Sequence, residues 1–212
     1  MDIKIPYTPR KHQAYLHKQI DKHRWNVLVC HRRFGKTVCM INHLIRSALL
    51  SKLNNPRFAY IAPTFKQAKS IAWDYMKQFT AKIPHTKFNE TELRVDLPNG
   101  ARITLLGSES PDGLRGIYLD GCVIDEYANV NSKLFPEIIR PALSDRKGYC
   151  VFIGTPMGMN NNFYELYQHA QSAEDWFNYK AKASDTKIVD DDELIKAKEV
   201  MGEKKYMQEF EC

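Results

Sequence analysis

The stretch CHRRFGKT, residues 30–37, is the part of the sequence that most strongly indicates the fold. It follows an apolar, strand-like run and leads into a helix-like segment, which is the setting of the phosphate-binding P-loop G-x-x-x-x-G-K-[ST]. Its last three residues fit the motif, whereas Cys30 stands at the position of the first glycine. A chance GKT between a strand and a helix is the competing interpretation, and the remainder of the sequence has to distinguish the two.

Each matching residue has a definite chemical part in a P-loop. Gly35 allows the backbone to turn so that amide groups point at phosphate oxygens. Lys36 places a positive charge on the β- and γ-phosphates, and the Thr37 hydroxyl is suited to a Mg²⁺ shell. The helix that follows adds the positive end of its dipole. The motif therefore predicts a site for a nucleoside triphosphate with Mg²⁺.

Strand-like and helix-like patterns alternate along the chain, which predicts an α/β fold with a central, mostly parallel sheet flanked by helices. Apolar runs indicate strands at residues 25–29, 58–62, 122–124, 149–153 and 177–183. Apolar residues at helical spacing indicate helices at residues 10–22, 38–49, 68–79 and 160–172. The alternation continues over the whole chain, so it favours the P-loop interpretation.

Three further signals add detail to this α/β pattern. The runs 93–97 and 101–106 flank Pro98-Asn99-Gly100, which predicts a β-hairpin insertion. Asp190 followed by Glu193 resembles a capping box that opens a final helix. The length of 212 residues suits one domain, 1–212, with a substantial core.

The charge distribution points toward a polyanionic partner without proving one. The net charge is +6, yet residues 1–60 alone contain 12 Lys and Arg against 2 Asp, a local balance of +10. A nucleotide site explains part of this excess, and DNA is a candidate partner for the rest. A solvated basic surface is an equally good interpretation of the charge alone.

Composition limits the cellular setting. No apolar stretch approaches the roughly 18 residues of a membrane span, and the N-terminus lacks the apolar core of a signal peptide. The sequence therefore predicts no membrane association. The five cysteines show no C-x-x-C and no metal-like spacing, so we expect a reducing compartment and no disulfide framework.

A second acidic motif strengthens the P-loop interpretation. The apolar run GCVIDEYA contains Asp125 and Glu126 at the predicted end of a strand. Asp125 is suited to hold Mg²⁺ beside Thr37, and Glu126 to polarise the water that attacks the γ-phosphate. A solvated acidic turn is the better interpretation of this motif by itself. It becomes the weaker one once a P-loop lies about 90 residues upstream.

Three other residues are candidates on weaker grounds. Thr155 ends a predicted strand in GTP (154–156), where it could report the γ-phosphate, although by itself a strand-ending turn is the better interpretation. Arg32 lies inside the P-loop and is placed to touch phosphate or a nearby acid. Arg115 lies in a Gly/Ser-rich loop ten residues before Asp125, and its alternative is a surface ion pair with Asp112 or Glu109.

Taken in order, five motifs resemble the ATPase domain of the phage terminase large subunit, the motor that packs double-stranded DNA into capsids. They are YTPRKHQ, CHRRFGKT, YIAPTFKQA, LRG before VIDEYA, and GTPMG, and the terminal EKKYMQEFEC resembles the segment that leads onward from this domain. The resemblance implies a P-loop NTPase of the additional-strand, catalytic-glutamate type, with ATP as substrate and Mg²⁺ as cofactor. It also implies double-stranded DNA, a capsid portal and a small terminase subunit as partners, a homo-oligomeric ring, commonly a pentamer, and the host cytoplasm as location.

The resemblance assigns roles to individual residues. Tyr7, Pro9 and Gln13 match the adenine-recognising segment, with helix capping and core packing as the alternative. Lys36, Glu126 and Asp125 match the phosphate-binding lysine, catalytic base and metal ligand, and Thr155 lies in the segment that couples hydrolysis to movement. The nucleotide contacts implied within and beside the P-loop are Arg32, Arg33, Phe34, Gly35, Lys36, Thr37 and Val38. Arg115 matches the arginine proposed to reach the ATP of a neighbouring subunit, and we favour it over Arg32 as the arginine finger.

Large subunits of this family usually continue into a nuclease domain. In this chain, Asp185 and Asp190–Asp192 are better explained as helix-start charges than as a two-metal site, so we expect no nuclease activity from it.

Other interpretations of the same motifs stay open. A P-loop helicase or repair ATPase is the nearest alternative function. A non-catalytic DNA-binding or assembly module that merely holds nucleotide is another, although it would not need Glu126.

Overall fold

A computed structural model describes residues 4–212, and in them eight strands form one continuous sheet. The strands are β1 Trp25–Cys30, β2 Arg57–Ala62, β3 Lys87–Asn89, β4 Arg94–Asp96, β5 Arg102–Gly107, β6 Gly121–Asp125, β7 Tyr149–Gly154 and β8 Trp176–Ala181. Their order across the sheet is β3-β4-β5-β2-β6-β7-β1-β8. Strand β7 therefore lies between β1 and β6, which confirms the additional-strand arrangement.

The sheet is parallel wherever the strands carry the predicted motifs. β1 pairs in parallel with β7 and β8, β6 with β2 and β7, and β2 with β5. Every residue of β1 and of β6 is buried, as expected for strands covered on both faces. Only the pairs β3–β4 and β4–β5 are antiparallel among the described residues.

Helices cover both faces of this sheet. They are α1 Lys11–Ile20, α2 Lys36–Leu50, α3 Phe65–Ala68, α4 Asp74–Thr80, α5 Arg140–Ala142, α6 Asn162–Ser172, α7 Ala183–Thr186, α8 Asp191–Met201 and α9 Glu203–Tyr206. Wider π-helical turns at Lys69–Trp73, Phe135–Ile139 and Met207–Glu211 join or extend them. No helix within residues 4–212 combines the length and the apolar character that crossing a bilayer requires.

Side chains of β1 alternate between two hydrophobic cores, because successive residues of a strand face opposite sides. Leu28 and Cys30 join the core beneath α1, α2 and α4, whereas Val27 and Val29 join the core beneath α5 and α6. A third, small cluster links α7 and α8 with the π turn at the end of the chain. The two main cores pack against the two faces of the sheet. The edge at which the strands end is therefore held rigidly from both faces.

Most predicted elements are present, with two differences. The hairpin forms as β4 and β5 around the turn at Gly100, whose φ is +83°, but β3 adds a third strand that the sequence did not signal. β3 has only three residues and largely exposed side chains, so no apolar pattern marks it. The capping-box prediction is wrong: α8 follows Asp190, yet no side-chain capping bond forms there. Acidic residues in the first turn, favoured by the helix dipole, begin this helix instead.

Candidate active site

Three parallel neighbouring strands bring the predicted functional residues to one edge of the sheet. The P-loop leaves β1, Thr155 follows β7, and Asp125 ends β6 with Glu126 directly after it. Carboxyl ends of parallel strands share an edge, and ligands of open α/β sheets bind there. The structure therefore gathers residues that are up to 125 positions apart in sequence, from Cys30 to Thr155.

The P-loop backbone has the turn that its sequence predicts. Gly35 has a φ of +85° and immediately precedes α2. A Cβ at Gly35 would lie 2.9 Å from Nε2 of Gln13, a side-chain end that would have to shift, and the positive φ is what favours glycine here. Cys30, at the position of the motif's first glycine, is a fully buried strand residue. Its thiol is part of the core, so the loop begins without a glycine.

The Lys36 ammonium joins the P-loop to the loop after β7. Its Nζ donates to the Thr155 hydroxyl at 2.7 Å and lies 3.4 Å and 3.5 Å from the carbonyl oxygens of Cys30 and His31. These acceptors place the positive charge over the end of β1, between the P-loop and β7. A phosphate group is the ligand that such a lysine, beside a helix N-terminus, is suited to bind.

Both acidic residues sit in a desolvated setting. Asp125 is 4% exposed, and burial raises the pKa of its carboxyl group, against the opposing charge of Lys36. Burial and the Asp125 charge raise the pKa of Glu126, while Lys36 and the backbone N–H of Thr155 oppose the shift. A carboxylate with a raised pKa accepts a proton more readily at neutral pH, as a general base must.

The backbone at Glu126 has a conformation unusual for its residue type. Its φ and ψ are both 47°, in the left-handed region that residues other than glycine rarely adopt. The preceding carboxylate accepts a bond from the Glu126 N–H at 2.9 Å, which fixes this turn. The last residue of β6 and the residue after it therefore differ in backbone conformation, extended at Asp125 and left-handed at Glu126.

The donor set at this edge fits a Mg²⁺ ion. Asp125 and Thr37 offer hard oxygen ligands, and the Tyr60 hydroxyl donates to the Asp125 carboxylate. Mg²⁺ typically takes one or two protein ligands and fills its other positions with phosphate and water. The described residues contain no cluster of three or more His, Cys, Asp or Glu suited to a metal.

The N-terminal segment contacts the P-loop through Gln13. Gln13 Nε2 donates to the carbonyl of Gly35 at 3.3 Å, and its Oε1 accepts from the backbone N–H of Arg10 at 3.0 Å. The amide thus both caps α1 and touches the phosphate loop. Tyr7 and the exposed Pro9 line a groove of about 500 Å³ beside α1 and α2.

Two histidines continue the hydrogen bonding from this segment into α2. The Tyr7 hydroxyl lies 3.0 Å from Nε2 of His17, and Nδ1 of His17 lies 3.0 Å from Nδ1 of His43. The imidazole rings are stacked with centroids 5.2 Å apart. Burial lowers the pKa of His17 to about 4 and that of His43 to about 3, so both rings are neutral at physiological pH.

The two candidate arginines occupy different environments. Arg32 lies in the P-loop with a side chain 60% exposed, and it pairs with Glu209 at 3.5 Å. Arg115 lies in the loop after β5, where it pairs with Asp112 at 2.7 Å and with Glu137 at 3.7 Å. Both pairs lie at the surface. In the isolated chain, Arg115 therefore forms the surface ion pair with Asp112 that was the alternative to a catalytic role.

The last π turn of the chain covers the P-loop. The backbone N–H of Arg32 donates to the carbonyl of Glu209 at 2.7 Å, in addition to the ion pair between their side chains. The neighbouring His31 donates its backbone N–H to Ala181 at 3.0 Å and its ring bonds Thr186 at 2.8 Å. These contacts join the P-loop to the terminal π turn, to β8 and to α7.

The remaining P-loop candidates differ in what they can offer a nucleotide. Phe34 is fully buried and its ring packs against His31, so only its backbone faces the loop. Arg33 is exposed with a φ of +74°, and Val38 is partly buried in the first turn of α2. Their side chains make no contact with Lys36 or with the acidic pair among the hydrogen bonds and ion pairs of the described residues.

Sequence reasoning missed four residues that the structure brings to this site. They are Arg10, His17, Tyr60 and Glu209. Only Tyr60 carried a usable signal, because a phenol in a buried strand such as FAYIA needs a hydrogen-bond partner. The others depend on contacts between segments far apart in sequence.

Comparison with known proteins gives a consistent result. Residues 29–208 match the family model described as terminase large subunit, T4likevirus-type, N-terminal. The curated large terminase of Thermus phage G20c is 27% identical over 182 residues, which cover 77% of this chain and 36% of that protein. The chain thus spans about a third of the length of the curated relatives it matches.

Solved structures with the same fold include two from thermophilic phages. The ATPase domain of the large terminase of Thermus phage P74-26 superposes with a TM-score of 0.81 at 21% identity, covering 97% of this chain and 94% of that domain. The large terminase of a second thermophilic bacteriophage, solved in complex with ADP, superposes with a TM-score of 0.81 at 16% identity, covering 94% of this chain and 52% of that one. At these identities the superpositions establish the shared fold.

Proposed function

This chain belongs to the terminase large-subunit family, and from that premise we propose that it is a Mg²⁺-dependent ATP hydrolase whose turnover drives double-stranded DNA into a procapsid. One observation carries the proposal: the lysine of the P-loop, the loop after β7, the buried Asp125 and the partly buried Glu126 meet at a single edge. The bond from Lys36 to Thr155 at 2.7 Å defines that meeting point. A module that only holds nucleotide has no need of Glu126, whose carboxylate lies in the same pocket.

We propose the following part for each residue in hydrolysis. The P-loop amides and Lys36 bind the β- and γ-phosphates, and Glu126 orients a water molecule and takes its proton as the water oxygen attacks the γ-phosphorus. The bond from the γ-phosphorus to the bridging oxygen then breaks, and ADP leaves with that oxygen. When bound, Mg²⁺ supplies positive charge to the phosphate oxygens, and Thr37 with Asp125 would hold it.

Thr155 and Gln13 are suited to transmit the state of the nucleotide. The Thr155 hydroxyl accepts a hydrogen bond from Lys36 in the structure. A γ-phosphate that binds Lys36 in its place would therefore release Thr155. Gln13 binds the carbonyl of Gly35 and therefore links base recognition near Tyr7 to the phosphate loop. We propose that these two contacts couple nucleotide occupancy to the elements around β7 and α1.

A fast phosphoryl-transfer enzyme also uses an arginine directed at the transferring phosphate. Arg115 belongs to the segment between β5 and β6, where it pairs with the surface acids Asp112 and Glu137. We propose that it acts in trans, in the ATP site of a neighbouring copy within a ring, for which a pentamer is the expected size. Arg32 is the alternative in cis, once its pairing with Glu209 opens.

The proposed partners follow from charge and family membership. The balance of +10 over residues 1–60 suits the phosphate backbone of duplex DNA. We propose a capsid portal and a small terminase subunit as protein partners, and residues 1–212 as one ATPase unit.

Steady-state phosphate release, measured against protein concentration with and without duplex DNA, tests this function. We expect Mg²⁺-dependent release that rises more steeply than linearly with concentration, because a trans arginine requires a neighbour. EDTA and the Glu126→Gln variant serve as controls that must abolish it. Absence of release at every concentration would favour the nucleotide-holding module, and strand separation during turnover would favour the helicase.

A further inference from the structure

Tyr60 is the only polar side chain in the buried part of β2 that reaches the site, and nothing in the motifs assigns it a role. The residue is fully buried in the middle of FAYIA, one strand away from β6. Its hydroxyl donates to the Asp125 carboxylate at the end of β6. The second carboxylate oxygen accepts from the N–H of Glu126 at 2.9 Å, so each oxygen of Asp125 has one fixed protein donor.

The hydrogen bond fixes the direction of donation between these two groups. A carboxylate oxygen accepts, so the Tyr60 hydroxyl is the donor and Asp125 the acceptor.

This direction has a consequence for cation binding. With its proton donated to one oxygen of Asp125, the Tyr60 hydroxyl holds the carboxylate in one orientation at the end of β6. Each oxygen of Asp125 keeps a free lone pair, since a carboxylate oxygen accepts about two hydrogen bonds.

We propose that Tyr60 is a positioning residue that orients Asp125, a metal ligand of the nucleotide site, through its hydroxyl. The proposal rests on the proposed function, because it concerns the Mg²⁺ that accompanies the nucleotide. Residues that orient metal ligands from behind typically change metal affinity by about 10–100-fold when removed. Core packing alone would require only the aromatic ring of Tyr60.

A second tyrosine in the core provides a matched control. Tyr149 lies on β7 and its hydroxyl donates to Ser47 Oγ at 3.1 Å, on the body of α2. Tyr60 is fully buried and Tyr149 partly buried, each phenol has a side-chain acceptor, and of the two only Tyr60 contacts a metal ligand. Replacement of each by phenylalanine removes one oxygen atom and preserves the ring.

The test measures binding of ATPγS by the full chain at increasing MgCl₂ concentrations, and also in EDTA. For Tyr60→Phe we expect the half-saturating Mg²⁺ concentration to rise about 10–100-fold. Affinity for ATPγS in EDTA should stay within about two-fold of that of the unaltered chain, because no metal ligand is then in use. Tyr149→Phe should leave both quantities unchanged.

The possible outcomes separate this inference from the function beneath it. An unaltered chain that binds ATPγS no better with Mg²⁺ than in EDTA would overturn the proposed function, and the inference with it. A normal Mg²⁺ response in Tyr60→Phe, or an equal loss of affinity with and without metal, overturns the role of Tyr60 alone. If Tyr60→Phe does not fold, a crystal structure of the unaltered chain with Mn²⁺ and ATPγS decides: the inference requires the Tyr60 hydroxyl to bond Asp125 there, and its withdrawal from Asp125 contradicts it.

Discussion

The edge formed by β1, β7 and β6 and the loop at residues 107–116 contain the two halves of the proposed catalytic machinery, and their surroundings are opposite. At the edge, Lys36 and Asp125 have hydrogen-bond partners from several strands, and Asp125 is only 4% exposed. In the loop, Arg115 is 56% exposed and its partners are surface acids. Surface ion pairs of this kind contribute about 0–1 kcal/mol, so the arginine is easily released. The difference indicates that binding is built into one chain, whereas the arginine is available to another.

Removal of Arg115 is expected to have the largest effect on hydrolysis. Arg115→Ala should lower steady-state hydrolysis by about 10³–10⁵-fold, the range for a missing arginine finger, while ATPγS affinity changes little. Mixing this variant with Glu126→Gln should restore part of the activity, because an intact Glu126 then meets an intact Arg115 across an interface. Mixing either variant with itself is the control. If mixed assemblies show no recovery, the arginine acts in cis and Arg32 becomes the candidate.

The buried half is tested by Glu126→Gln. The substitution preserves size but removes the proton acceptor, so hydrolysis should fall by about 10²–10⁴-fold while nucleotide affinity is retained. Phosphate release and ATPγS binding on the same preparation measure the two effects. Glu137→Gln, which removes a surface carboxylate near Arg115, is the matched control and should retain most activity. Unchanged turnover in Glu126→Gln would remove Glu126 as the base.

Lys36→Ala tests nucleotide binding at the edge of the sheet. Its loss removes charge-assisted hydrogen bonds of about 1.5–3 kcal/mol each, so ATPγS affinity should fall roughly 10–100-fold. Lys69→Ala, at an exposed lysine on the π turn after α3, should leave affinity unchanged. Equal affinities for Lys36→Ala and the unaltered chain, measured by titration, would mean that the ammonium does not bind phosphate.

The smallest effect concerns the neutral imidazoles beside the edge. His17 has a folded pKa of about 4 and His43 of about 3, both below the ordinary 6.5, so the unfolded chain binds more protons between these values. Their contribution to stability is complete above pH 6.5 and declines as pH falls toward 4, by up to about 1.4 kcal/mol per pH unit for each ring. Urea unfolding at about pH 7, 6 and 5 measures this slope.

A matched pair of variants assigns the slope to these rings. His43→Leu should reduce the pH dependence of the unfolding free energy between pH 6.5 and 4, whereas His85→Asn should leave that dependence unchanged. His85 is exposed with a φ of +62°, a conformation that asparagine tolerates. A slope that is identical in His43→Leu and in the unaltered chain contradicts the assignment.

The parts of the site that local sequence encodes were predictable. The P-loop, the acids after β6 and Thr155 after β7 each follow an apolar strand, and parallel strands bring their ends together without further information. The turn at Gly100 was predictable for the same local reason, since its φ of +83° suits glycine. In these segments the backbone conformation depends on the residue types themselves.

Other features depend on contacts that no local pattern records. Glu209 meets Arg32 across 177 positions of sequence, and Tyr60 meets Asp125 across 65. The capping box at Asp190 was expected from spacing, but the charge of the first turn is sufficient to begin α8 without a side-chain bond. Arg115 was identified only by the motif around it, because an irregular loop has no periodicity from which its position can be predicted.

The place of β7 also sets the width of the pocket. Adjacent strands lie about 4.8 Å apart, so one strand between β1 and β6 separates the lysine-bearing loop from the acids by roughly 10 Å. That span accommodates a phosphate and a water molecule side by side. Because the ladders on both sides of β7 hold β1 and β6 at two strand spacings, β7 acts as a fixed spacer between the phosphate-binding loop and the acids.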